Sequence, residues 1–208
     1  MSAVWLGALA FLMALGFDLA SLGGRSTLKR TMLAVAALLF FIAFYQILQQ
    51  PPLFSVPSWI VATGILLSLL GLVLSVYSLA IEIPARRTYL AADAADQLIT
   101  TGTYALTRHP GVLWFALLLL GLVIANRSAV ILVAAPVWLG LDLFYVWIQD
   151  RFLFPRQFPD YEHYRQQTPM LIPTARSIRR CWRTFRCSAS SPAAPDQSLM
   201  RAEIGEQK

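Results

Sequence analysis

Long apolar stretches, separated by short clusters of charged residues, constrain the fold of this chain more than any other feature. The stretches cover residues 3–22, 31–48, 59–83, 112–125 and 129–148. A helix of about 20 apolar residues spans the roughly 30 Å hydrocarbon layer of a bilayer. Since 57% of the residues are hydrophobic and only 13% are charged, the composition excludes a soluble domain. The sequence therefore predicts an all-α, polytopic transmembrane helical bundle of about five spans.

The distribution of Lys and Arg predicts the orientation of these spans. With five spans, the basic clusters that begin at Arg25, Arg86 and Arg151 lie on one side of the membrane, and only Arg127 lies on the other. Loops rich in basic residues remain in the cytoplasm. We therefore expect an integral protein of a bacterial inner membrane with a cytoplasmic C-terminal segment. Orientation and anionic membrane lipids explain the net charge of +6, so we expect no nucleic-acid partner.

Small side chains recur at helical spacing on one face of the third span, and a carboxylate extends the same stripe. The members are Gly64, Ser68, Gly71, Ser75, Ser78 and Glu82. Small residues let two helices approach closely, so we expect this face to pack inside the bundle. Two interpretations of Glu82 stay open, a solvated carboxylate at the end of a helix and a residue of a functional site.

A polar loop, Thr101 to Pro110, leads directly into the fourth span. The residue before a proline avoids the α region, so His109 should end the loop and Pro110 should occupy the first helical turn. Arg108 and His109 then stand at a helix N-terminus, where free N–H groups favour anionic ligands. The loop therefore predicts a binding site, although a lone histidine at a membrane interface is also compatible with a structural role.

Polar residues also climb the last span toward its C-terminal end. Asp142, Tyr145 and Gln149 are spaced at i, i+3 and i+7, and Asp150 follows directly. Ionisable groups at membrane depth are costly and normally face a cavity or a partner. A site role and a structural hydrogen bond both remain open for these residues. The two cysteines lie in the basic tail without metal-ligand spacing, so we expect no metal.

Two blocks of this sequence resemble one superfamily. Gly102 to Pro110 is similar to the G-x-Y-x-x-x-R-H-P signature of the isoprenylcysteine carboxyl methyltransferase-like and phospholipid N-methyltransferase superfamily. Residues 158–165 and 168–173 are similar to its F-G-x-x-Y-x-x-Y-R and V-P-x-x-I-P ending. The order of the blocks and the intervening helical hairpin agree with that family. The resemblance divides the chain into three transmembrane helices (1–83), a methyltransferase-like core (84–173) and a basic, then disordered tail (174–208).

The resemblance implies a membrane enzyme that depends on S-adenosylmethionine. The cofactor would occupy a cytoplasm-facing pocket, and a lipophilic or small membrane-partitioning acceptor would enter from the bilayer. The cofactor-binding residues that it implies are Tyr104, Leu106, Arg108, His109, Pro110, Gln149, Asp150, Tyr161, Tyr164, Leu171 and Ile172. For catalysis, Asp150 or His109 would serve as the base for an acceptor that carries a proton. Arg165 or Arg108 would instead bind an anionic acceptor.

Departures from the family pattern keep other functions open. The family usually has tyrosine where this chain has Val112, and a Glu-Glu pair where this chain has Gln149 and Asp150. Sterol and steroid reductases, which use NADPH, resemble the same Arg-His-Pro architecture but generally continue with Asn-Tyr, which is absent here. An NADPH-dependent membrane reductase and a non-catalytic membrane protein that keeps the fold therefore remain alternatives.

Overall fold

A computed structural model describes residues 1–83 and 98–190, and these residues form helices and no strand. Four helical stretches are long and apolar enough to cross a membrane: Ser2–Leu22, Ser26–Leu48, Ser58–Glu82 and Ala129–Gln157. The predicted all-α membrane bundle is thereby confirmed. The apolar helix Pro110–Asn126 has 17 residues, or about 25 Å at 1.5 Å per residue. Because this length falls short of the hydrocarbon layer, the fifth span stays a prediction.

The described residues form nine α-helices. They are α1 (Ser2–Leu22), α2 (Ser26–Leu48), α3 (Ser58–Val76), α4 (Thr103–Leu106), α5 (Pro110–Asn126), α6 (Ala129–Ile148), α7 (Phe154–Gln157), α8 (Tyr161–Gln167) and α9 (Ala175–Ser190). Helix α3 continues as a π-helical segment over Tyr77–Glu82, and α6 continues as another over Gln149–Leu153. Residues 84–97, which include the basic cluster that begins at Arg86, and the tail after Ser190 lie outside the described residues.

The predicted small-residue face of α3 packs against α5. A Cβ atom added at Gly71 would lie 2.5 Å from the backbone nitrogen of Leu118, and one at Gly64 would lie 2.6 Å from that of Ala125. Such distances are shorter than any ordinary contact, so only glycine allows the two backbones to come this close. The expectation that this face lies inside the bundle is confirmed. The close packing of α3 on α5 also fixes the position of the N-terminus of α5, and therefore that of the polar loop Thr101–Pro110, called the Arg-His-Pro loop below.

The N-terminal helices pack on α6 through a tryptophan. The indole of Trp138 lies where a Cβ of Gly7 would be, and its Nε1 donates a hydrogen bond to the carbonyl oxygen of Val4 at 3.0 Å. Phe40 and Phe44 from α2 contact the same indole edge-to-face. This cluster holds α1 and α2 beside α6, which leaves a partly open cavity between these three helices and the first half of α5.

Candidate functional site

The end of α3 clamps the loop that leads to Arg108. Gly102 adopts a positive φ of 61°, and a Cβ there would overlap the Glu82 carboxylate. That carboxylate accepts hydrogen bonds from the backbone N–H of Thr103, at 2.8 Å, and from its hydroxyl. The hydroxyl of Tyr104 donates to the carbonyl oxygen of Ser78 at 3.3 Å. Glu82 is therefore a structural partner of the loop, a role that neither interpretation of its sequence position had described.

The two sequence blocks that carry the family resemblance contact each other directly. The backbone N–H of Arg108 donates to the carbonyl oxygen of Pro169 at 2.9 Å, and that of His109 donates to Met170 at 3.3 Å. The hydroxyl of Tyr164 donates to the carbonyl oxygen of Tyr104 at 2.6 Å. The C-terminal segment is thus hydrogen-bonded along the Arg-His-Pro loop, twice between main-chain groups and once through the Tyr164 side chain.

Asp150 joins the loop to α6 and α8. Its Oδ1 lies 2.8 Å from Nη1 of Arg108 and accepts a hydrogen bond from the Tyr161 hydroxyl at 2.6 Å. The same oxygen lies 3.5 Å from Nε2 of His109, which is too long for a strong hydrogen bond. Nε of Arg165 lies 3.9 Å from Oδ2. The side chains of Arg108 and Asp150 are only 9% and 8% exposed, so this is a buried ion pair.

Several buried polar atoms of this region make no hydrogen bond within the described part of the chain. They are Oγ1 of Thr107, Nε and Nη1 of Arg108, Nε2 of His109 and Oγ1 of Thr168. Nη1 of Arg108 is close to Asp150, but its N–H groups do not point along a hydrogen bond to it. Because most buried polar groups have a partner, these unpartnered atoms mark a candidate position for a bound ligand or ordered water.

Burial sets the protonation of the aromatic and imidazole groups. It lowers the pKa of His109 from its ordinary 6.5, although the nearby Asp150 carboxylate opposes this shift. The imidazole is therefore neutral near pH 7, and it stacks on Phe154 with ring centroids 5.7 Å apart. Burial and the hydrogen bond to Asp150 raise the pKa of Tyr161, and burial raises the pKa of Tyr164. Both hydroxyls therefore stay protonated and donate hydrogen bonds.

A cavity of about 530 Å³ lies against the Arg-His-Pro loop. This volume is within the range of roughly 300–1,000 Å³ that small-molecule sites occupy. The sequence-predicted residues that line it are Tyr104, Arg108, His109, Pro110, Gln149, Tyr161 and Tyr164. Leu106, Asp150, Arg165, Leu171 and Ile172 do not line it, and Ile172 is 81% exposed. The contacts of Asp150 instead place its carboxylate behind the cavity wall, where it positions the residues that do line it.

The comparison with known proteins concerns the same part of the chain. A model of the phospholipid methyltransferase family matches residues 59–153. Over this segment the chain matches phospholipid methyltransferases. The match covers a little under half of the 208 residues, confirms the resemblance to this superfamily and supports a membrane methyltransferase. No curated protein and no solved structure matches the chain.

The N-terminal helices, which precede the segment similar to phospholipid methyltransferases, add a second polar group to the cavity. Asp18 of α1 accepts hydrogen bonds from the Tyr145 hydroxyl at 2.7 Å and from Nε2 of Gln149 at 2.8 Å. Lys29 of α2 is buried, and its ammonium lies 5.3 Å from the centre of the Phe17 ring. All five residues line the cavity.

Sequence reasoning missed Asp18 and Lys29 as site residues. A signal for Asp18 was present, because it is the only ionisable residue in an otherwise apolar first span. Lys29 gave no comparable signal, since a lysine between two spans is ordinarily read as a determinant of membrane orientation.

Proposed function

We propose that this chain is an integral membrane methyltransferase, similar to the isoprenylcysteine carboxyl methyltransferases, that uses S-adenosylmethionine. It would methylate an oxygen, nitrogen or sulfur atom of a lipophilic or small membrane-partitioning acceptor. The family match supports methyl transfer at a membrane. The observation that carries the cofactor proposal is the set of buried, unpartnered donors of Arg108 and His109 on the wall of a cavity of small-molecule size.

The residues around those donors fit the chemical groups of the methyl donor. S-adenosylmethionine carries a carboxylate, an ammonium, a positively charged sulfonium and an adenine ring, and it supplies an electrophilic methyl group when bound. The guanidinium of Arg108 suits the carboxylate, because its planar donors match two oxygens at once. The rings of Tyr104, Phe154, Phe158 and Tyr161 line the same end of the cavity. Aromatic faces attract cations and stack on planar bases, so these rings suit the sulfonium and the adenine.

The other site residues have separate tasks in this proposal. Asp150 keeps Arg108 and Tyr161 in place through its short contacts to both. His109 is neutral, so the ring nitrogen that carries no proton can accept one from an acceptor hydroxyl or amine. Arg165 does not line the cavity and is a second, more distant cation beside Asp150. Alignment and exclusion of water would then supply much of the rate, since methyl transfer is an in-line displacement.

The rest of the cavity suits a lipophilic acceptor. Aromatic and aliphatic side chains from α1, α2 and α5 form its walls, and they include Phe11, Leu33, Phe40, Phe44, Phe115 and Leu118. An acyl or isoprenoid chain would bury apolar surface against them. Basic residues at the α1–α2 connection and at the Arg-His-Pro loop support a cytoplasmic mouth in a bacterial inner membrane, by the positive-inside rule.

Binding of the cofactor to the purified full chain tests the proposal. By calorimetry, Arg108→Gln should weaken S-adenosylmethionine binding about 10- to 100-fold, because hydrogen bonds to charged groups contribute about 1.5–3 kcal/mol. Arg108→Lys should weaken it less, since the charge remains but the planar fork is lost. The matched control is Arg25→Gln, an exposed arginine that does not itself line the cavity, and it should change cofactor binding by much less than Arg108→Gln.

The same titration separates the alternatives. Absence of heat with millimolar S-adenosylmethionine, together with binding of NADPH, would contradict the methyltransferase proposal and favour a reductase. Cofactor binding without labelled product on a panel of lipids, thiols and isoprenoids would favour a non-catalytic protein. Mass spectrometry of membranes incubated with isotopically labelled cofactor would identify the acceptor.

A further inference from the structure

We propose that helix α9 lies in the head-group layer of the membrane, where Arg176, Arg179 and Arg183 bind anionic phospholipids. Because α9 also contacts the Arg-His-Pro loop, this lipid contact would order the mouth of the cavity. The lipid-binding surface is distinct from the cavity, and its existence does not depend on which reaction the cavity supports.

Helix α9 has an apolar face that the described part of the protein leaves uncovered. Ser177 and Cys181 are buried against the body of the protein, and Thr184 lies on the same side. Ile178 is 43% exposed and Trp182 is 66% exposed, one helical turn apart. At 3.6 residues per turn these two residues occupy a sector of the helix beside the buried one. Tryptophan is enriched where a membrane meets water, which makes this sector suited to the head-group boundary.

Arginines fill the remaining sector of α9. Arg176, Arg179 and Arg183 are exposed, and the helix from Ala175 to Ser190 contains no acidic residue. A basic sector beside an exposed apolar sector is typical of helices that lie on anionic membranes. Nucleic acid would use the arginines alone and leave Ile178 and Trp182 in water. The same chain has four helices that are long and apolar enough to cross a membrane, so a membrane lipid is available to α9, and anionic phospholipid is the occupant that satisfies both sectors.

A hydrogen bond connects α9 to the loop of the candidate site. The backbone N–H of Gly102 donates to Oγ1 of Thr184 at 3.1 Å, and this hydroxyl in turn donates to the carbonyl oxygen of Cys181 at 2.9 Å. Gly102 stands two residues before Tyr104, which lines the cavity. When bound lipid restricts the motion of α9, the backbone around Gly102 should lose conformational freedom as well. We therefore expect anionic lipid to slow exchange of the loop amides.

Fluorescence of the full chain in nanodiscs tests the lipid contact. The discs contain phosphatidylcholine with phosphatidylglycerol, and either lipid is brominated so that it quenches nearby tryptophan. The signal of Trp182 is the difference between the wild type and Trp182→Phe, which removes the background of the other tryptophans. Brominated phosphatidylglycerol should quench this signal more than brominated phosphatidylcholine at the same mole fraction.

The arginines are tested by matched triple variants. Arg→Gln at positions 176, 179 and 183 should abolish the preference for phosphatidylglycerol, since each basic residue strengthens anionic-lipid binding by about fivefold. Arg→Lys at the same positions keeps the charge and should keep the preference. Equal quenching by both lipids in the wild type, or an unchanged preference in the Gln variant, would overturn the proposal. Quenching of Trp182 by aqueous iodide alone would place this face in water and would also overturn it.

Hydrogen exchange of residues 101–109, measured without cofactor, tests the connection to the loop. Exchange should be slower with phosphatidylglycerol in the wild type and unaffected by it in the Gln variant. Lipid-independent exchange in both proteins would overturn the ordering of the cavity mouth. Since neither readout uses S-adenosylmethionine or an acceptor, these results are distinguishable from failure of the proposed function.

Discussion

The buried ion pair between Arg108 and Asp150 can be tested by a double-mutant cycle. Nη1 and Oδ1 are 2.8 Å apart, and both side chains are less than a tenth exposed. Arg108→Gln leaves a buried carboxylate without its nearest cation, and Asp150→Asn leaves a buried guanidinium without its carboxylate. The double variant leaves neither charge behind. The cost of the double change should therefore be much smaller than the sum of the two single changes.

The structure sets the expected magnitudes. At an effective dielectric constant of about 20, unit charges 2.8 Å apart attract by roughly 6 kcal/mol. Desolvation of both ions offsets most of this attraction, and removal of one partner of a buried pair costs about 3–5 kcal/mol. Asp150→Asn should be the more costly change, because the carboxylate that remains in Arg108→Gln still accepts the Tyr161 hydroxyl and has Arg165 at 3.9 Å. We expect a coupling energy of roughly 2–3 kcal/mol.

The assay is the free energy of unfolding of the four proteins, measured by titration with a denaturing detergent in mixed micelles and followed by tryptophan fluorescence. Arg151→Gln is the matched control, since Arg151 is the exposed neighbour of Asp150 in the chain and should change stability by less than about 0.5 kcal/mol. A coupling energy below about 0.5 kcal/mol, which is the ordinary limit of additivity, would refute the buried pair.

Two further predictions concern the loop. Burial lowers the pKa of His109, so below about pH 6.5 the unfolded chain binds more protons than the folded one. The free energy of unfolding should therefore decrease as the pH is lowered, by up to about 1.4 kcal/mol per pH unit. His109→Gln should remove this part of the slope in unfolding titrations from about pH 7 to pH 5, and equal slopes would contradict the assignment. Gly102→Ala forces a Cβ onto the Glu82 carboxylate and should abolish high-affinity cofactor binding. The control is Gly24→Ala, because Gly24 has a similar φ of 64° with open space around it. This change should cost only about 1–2 kcal/mol of stability and leave cofactor binding intact. Equal effects of the two changes would contradict the role of Glu82 in holding the loop.

The fold could be predicted from the sequence because its causes are local. Apolar runs of span length predicted the helical bundle, and the proline rule predicted that α5 begins at Pro110, as it does. Glycines spaced at helical intervals predicted the buried face of α3, because a glycine lets the backbone of any neighbouring helix come close. The apolar run of residues 112–125 also indicated a helix shorter than a full span, and α5 has only 17 residues.

The walls of the cavity were only partly predictable, because they depend on contacts between distant parts of the chain. Asp18 meets Gln149 across α1 and α6, and no spacing rule connects two residues so far apart in sequence. Leu171 and Ile172 were predicted by their positions in the motif, but a motif gives the order of residues and not the direction of their side chains. The backbone carbonyl oxygens of Pro169 and Met170 accept hydrogen bonds from the loop, and neither the Leu171 nor the Ile172 side chain lines the cavity.

The adjacent residues Gln149 and Asp150 belong to one sequence motif, but their side chains point to different parts of the protein. Successive side chains on a helix point about 100° apart, so two neighbours seldom face the same space. Gln149 lines the cavity and donates to Asp18, whereas Asp150 faces the loop and pairs with Arg108. The superfamily commonly has Glu at both positions. The carboxylate that this chain retains is therefore the one that holds the loop, and the substitution of Gln for Glu falls on the side that faces the cavity.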